Sequence, residues 1–154
     1  MKKLICFSTL SLAIATMSLP SVAQGQQAQY SPSAPRISST NGYMDAHMIS
    51  VYTGDQPLSF ITVRPPDFIS VGDRIQINDQ SGQAIESNIS REGNIIRVNF
   101  AQPIPPQTTL KITFADLSLS SGVVPIGVYN YEVAGGYPGF RQEIPYGLAR
   151  VQVF

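Results

Sequence analysis

The stretch "PIGVYNYEV", Pro125 to Val133, decides the fold. Tyr129 and Tyr131 stand on one face of it and Asn130 and Glu132 on the other, which is the two-residue period of a half-buried strand. In immunoglobulin-like domains a tyrosine near the start of the penultimate strand hydrogen-bonds back across the corner before it, and the residue two further on points into the core. Gly127, Tyr129 and Tyr131 fit that arrangement, with Tyr131 at the position that antibody domains give to cysteine. The final hairpin then joins Tyr129–Val133 to Leu148–Val153 through the loop "AGGYPGFRQEIPYG", Ala134 to Gly147.

Working outward, the same period recurs. "RIQIN" puts Ile75 and Ile77 on one face, "IIRVNF" does so with Ile96, Val98 and Phe100, and "LKITF" with Leu110, Ile112 and Phe114. Arg74, Gln76, Arg97, Asn99, Lys111 and Thr113 stand between them, as on the wet side of an antiparallel sheet. "HMISVY", "LSFITV" and "LARVQVF" carry similar β-branched and aromatic weight. Turn signals such as "TGDQP", "RPPD", "DQSGQ", "REGN" and "AQPIPPQT" punctuate the strands, and no window of the chain past its first residues has helical spacing free of Gly and Pro. The expectation is an all-β, antiparallel, immunoglobulin-like β-sandwich of about seven to eight strands. An outer-membrane barrel is the competing architecture, because Phe154 is a terminal aromatic. Stepping back by two from Phe154 gives Gln152, Arg150 and Leu148, and lipid does not accept that face.

The first residues address the compartment. Lys2 and Lys3 precede an apolar run from Leu4 to Leu19, and "PSVAQ" offers Ser21 and Ala23 before a scissile bond, so residues 1–23 read as a signal peptide. Ser8, Thr9, Ser11, Thr16, Ser18 and Pro20 make the run too short and polar for a membrane anchor, so no membrane span is expected after cleavage. Cys6, the single cysteine, leaves with it, and no disulfide can form. Residues 24–46 are too poor in large apolar side chains to order themselves and read as a flexible N-terminal segment, which leaves 47–154 as the sandwich domain. Without Lys2 and Lys3 the chain has eight basic and ten acidic residues, a net charge of −2. Its arginines are scattered singly, so nucleic acid is not an expected partner.

"APRI", "DRIQINDQSGQAI", "IRVNFAQPIPPQTTLKITF", "GVYNYEV" and the closing "YGLARVQVF" together resemble an exported cyanobacterial family, domain of unknown function 2808, over Ser33–Phe154. Gln107 in "PIPPQT" stands where that family usually has glycine. The resemblance implies export and a sandwich, and it implies no activity.

Chemistry is sparse. Met44, His47 and Met48 are soft ligand types, but in a strand His47 and Met48 point to opposite faces and nothing else completes a shell; an exposed His47 and a core methionine are expected, with no metal and no cofactor. One histidine and no cysteine leave no nucleophilic triad, and no catalytic residue is assigned. Ten carboxylates leave a glycan hydrolase as the alternative, although Asp55, Asp73 and Asp79 lie beside Gly or Asn in turns. The loop Ala134–Gly147 crowds Tyr137, Phe140, Arg141, Glu143 and Tyr146, a composition suited to recognition. The competing reading is that Phe140 and Tyr146 fold back to cap the sandwich. A non-catalytic module of the periplasm, cell envelope or extracellular space, contacting an envelope protein or a glycan through that loop, is the function expected.

Overall fold

A computed structural model describes residues 33–119, 122 and 124–154. The leader expected over 1–23 lies outside the described residues. Eleven strands form: β1 (Arg36–Gly42), β2 (Ala46–Tyr52), β3 (Leu58–Arg64), β4 (Ile69–Ser70), β5 (Ile75–Asn78), β6 (Ser87–Glu92), β7 (Ile95–Ile104), β8 (Thr109–Ala115), β9 (Ser118–Leu119), β10 (Gly127–Gly136) and β11 (Ile144–Val153). Nine of them make one sheet in the order β5-β8-β2-β1-β11-β10-β3-β7-β6, and β4 pairs with β9. The fold is an all-β, immunoglobulin-like sandwich, and the nine strands bend into two layers that meet at a parallel contact between Gly42 of β1 and Val153 of β11.

The seven strands read from period two are present as β2, β3, β5, β7, β8, β10 and β11. β1, β6 and the two-residue pair β4 and β9 are additions. "RISSTNG" and "SNISRE" each hold one large apolar residue, so their backbone ladders and not a hydrophobic face make them strands. β1 corrects the reading of 24–46 as a flexible segment over Arg36–Gly42, where pairing with β2 supplies what composition lacks. The last hairpin is also longer than expected. Ala134 pairs with Pro145 and Gly135 with Ile144, so the connection shrinks to residues 137–143.

Inward-facing residues of both layers form one core. Ile49, Val51, Leu110, Ile112 and Phe114 come from one layer, and Ile61, Val63, Ile96, Val98, Tyr131, Val133 and Val151 from the other. Phe114 and Tyr131 stack across the interlayer space with centroids 5.9 Å apart. Tyr129 Oη donates to Pro125 O at 2.6 Å, the corner bond expected of this fold. Arg150, Gln152 and Phe154 all face solvent.

His47 contradicts its reading as an exposed residue. It is fully buried, with Nδ1 2.5 Å from Tyr131 Oη, while Met48 on the opposite face of β2 is half-buried and Met44 is exposed. The reason is parity: β2 turns its even-side residue Met48 outward and gives its odd side, with Ile49 and Val51, to the core. The three soft ligand types therefore do not converge.

Candidate functional site

The end of the β10–β11 hairpin builds the site. Phe140 N donates to Tyr137 O at 3.1 Å, and Gly139 takes a φ of 81° beside it, a left-handed turn that leaves a side chain on either flank. The Tyr137 and Phe140 rings meet edge to face at 6.2 Å. Phe140 keeps 65% of its surface exposed and Arg141 is also solvent-facing.

Beyond the tip, Glu143 turns back onto the outer face of the sheet. Its Oε1 accepts from Thr62 Oγ1 at 2.7 Å and from Arg97 Nη1 at 3.2 Å, which ties the loop to β3 and β7. The Arg97 guanidinium lies 3.6 Å from the centre of the Phe60 ring and Nε donates to Asn99 Oδ1 at 3.1 Å, so packing and hydrogen bonds both fix the ion that holds Glu143. Gly136 is needed at this point, since a Cβ there would stand 2.3 Å from the Phe60 ring.

Tyr146 behaves differently. It packs against the core, and its hydroxyl is buried over Gly135, where a Cβ would approach to 2.4 Å; burial pushes the phenol's pKa upward. A register shift after Val133 admits Tyr146 as the extra residue of β11. The five residues read from the sequence therefore divide: Phe140 and Arg141 are displayed, Tyr137 buttresses Phe140, Glu143 latches the loop, and Tyr146 caps the core.

Between latch and hairpin runs a groove of about 410 Å³, bordered by Thr62, Arg64, Glu132, Ala134, Glu143 and Leu148. Arg64 and Glu132 face each other in register across β3 and β10 and form an ion pair on its wall. Both members are partly exposed, so the pair shapes the rim more than it stabilises the fold. Sequence reasoning missed Thr62, Arg64, Arg97 and Glu132. Their outward phase was readable, but the pairing that gathers them was not. Among the turn carboxylates, Asp79 accepts from Ser81 N, Ser81 Oγ and Gln83 N at 2.6–3.0 Å, and these hydrogen bonds hold it below the usual carboxylate range.

No family model matches the chain, and the curated proteins give no significant match. Solved structures do resemble it. BcpA, the major pilin subunit of Bacillus cereus, superposes with a TM-score of 0.50 at 8% identity, over 78% of this chain and 40% of that one, so this chain spans less than half of the pilin. The collagen-binding domain from a Staphylococcus aureus adhesin superposes with a TM-score of 0.42 at 12% identity, over 75% of this chain and 95% of that domain. Identities this low bear on the fold alone.

Proposed function

We propose that this chain is an exported, non-catalytic binding or structural module of the cell envelope or extracellular space, and that it contacts a protein or glycan partner through the tip of the β10–β11 hairpin. The observation that carries the reading is the displayed ring of Phe140, held out on a loop that Glu143 ties to the sheet instead of being folded into the core. An aromatic immobilised before contact loses little entropy on binding, which favours recognition at this place. The leader read over residues 1–23 and the resemblance to domain of unknown function 2808 support export, and the pilin-like fold of a bacterial surface protein agrees with such a role.

The test is recovery of partners from envelope extract by the mature chain and by its Phe140→Ala, Arg141→Ala double variant. Both side chains face solvent, so thermal stability should stay within about 0.5 kcal/mol of the parent while recovery falls sharply. Undiminished recovery moves the contact away from the tip.

A second reading, a carboxylate-based glycan hydrolase, rests on Glu132 and Glu143, which border one groove. Each already accepts a hydrogen bond from a guanidinium, so both carboxylates are engaged in holding the sheet and the loop, whereas glycoside cleavage needs a pair turned toward a bound sugar. Glycan turnover that Glu143→Gln abolishes would reverse the order of the two readings.

A further inference from the structure

The nine-stranded sheet does not close, and its two edges, β5 and β6, leave each other within one hairpin. Near the turn they are joined, with Ile85 N donating to Ile77 O at 2.9 Å and Ala84 bridging Asn78. Beyond that point they splay. A cleft of about 440 Å³ opens between them, with Ile75, Ile77, Ile85 and Ile89 on its walls.

The pairing of β6 with β7 fixes which backbone groups of β6 look into that gap. Ala101 N donates to Glu86 O at 3.1 Å, and in an antiparallel ladder hydrogen-bonded pairs alternate, so Glu86, Asn88, Ser90 and Glu92 direct their backbone groups to β7. Ser87, Ile89 and Arg91 direct theirs away from the sheet. None of these three makes a backbone hydrogen bond to another described residue. A run of outward donor–acceptor pairs, two of them, at Ser87 and Ile89, bordering an apolar cleft, is what an added strand recognises.

Charge narrows the occupant. Glu86 and Glu92 lie on the solvent face at the two ends of β6, both exposed, and neither has an ion pair among the described residues. The nearest cation on the strand does not offset them, because the Arg91 guanidinium donates to Val71 O at 2.9 Å and Gly72 O at 2.5 Å. We propose that β6 binds an extended strand of another polypeptide, apolar at every second residue toward the cleft and bearing Lys or Arg opposite Glu86 and Glu92. This surface is separate from the hairpin tip, and the two proposals stand or fall independently.

The probes are two capped heptapeptides, one alternating Lys and Val and one alternating Glu and Val, titrated into the mature chain and followed by amide shifts and hydrogen exchange. Binding of the Lys peptide about tenfold tighter than the Glu peptide is expected, from two cross-strand attractions replaced by two repulsions, together with slowed exchange of the Ser87 and Ile89 amides. Glu86→Lys with Glu92→Lys should invert the preference. Both are surface changes that leave the fold intact. Ser87→Pro removes an outward donor without touching the β6–β7 ladder and should weaken the Lys peptide at least about fivefold. Equal affinity for the two peptides, shifts that map away from β6, or unchanged affinity in the double lysine variant would overturn the proposal. Sedimentation showing that the chain pairs with itself through this edge would likewise overturn it, in favour of a second copy.

Discussion

A polar atom carried into a core needs a partner, and the two tyrosines of β10 find different ones. Tyr129 donates back to Pro125 O, four residues upstream, while Tyr131 reaches across the layers to His47 Nδ1. His47 packs against Tyr129 and Tyr131 of β10 and lies opposite Phe114 of β8, and among the described residues it makes no ion pair. Burial therefore pushes the histidine from 6.5 down to about 4. A depressed histidine means that the unfolded chain takes up the proton first, so its contribution to stability is whole above pH 6.5 and is lost as pH falls toward 4. The loss should approach about 3 kcal/mol across that window. Denaturant midpoints measured from pH 7 to 4 check it, with His47→Gln expected to flatten the profile. Asp79 and Asp116 are both held below 3.8 by hydrogen bonds to their ionised forms, so their contributions fade only at lower pH and do not mimic the effect.

Among the elements, the β7–β8 turn shows strain. Gln107 adopts a φ of 59°, the left-handed region that glycine occupies without penalty. The surroundings hold it there. Gln107 N donates to Gly54 O at 2.7 Å, and Thr53 Oγ1 bridges Pro105 O and Thr108 N, so the β2–β3 loop fixes the turn from outside. Gln107→Gly should relieve the crowding at Cβ while adding freedom to the unfolded chain, for a net gain of about 0.5 kcal/mol in a denaturant midpoint. A loss would mean that the Gln107 side chain contributes to the turn. The β10–β11 hairpin teaches a related lesson. "AGG" and "IPYG" read as loop because Gly and Pro weaken strands, yet both continue the ladder, since Gly136 leaves room for Phe60 and Gly135 for Tyr146.

For the whole molecule the decisive contact is the one that joins its layers. Tyr131 belongs to β10, stacks on Phe114 of β8 and touches His47 of β2, so removing its ring opens the core from both sides. Tyr131→Ala should lower stability by about 3 to 5 kcal/mol while the transition stays cooperative, as calorimetry or denaturant unfolding would read. What the sequence by itself determined was whatever depends on near neighbours. The two-residue period placed seven strands and the inner faces of β5, β7, β8 and β10, and the Tyr129 corner was legible because its acceptor lies four residues away. Only the tertiary structure decided the rest. A strand's own residues say which side faces inward but not which strand lies beside it, so β1 was invisible until β2 and β11 flanked it, and burial of His47 waited on Tyr131, 84 residues away. The groove has the same origin: Thr62 and Glu143, 81 residues apart, meet only because β3 sits beside β10, and that adjacency is set by how two layers bury their apolar faces together.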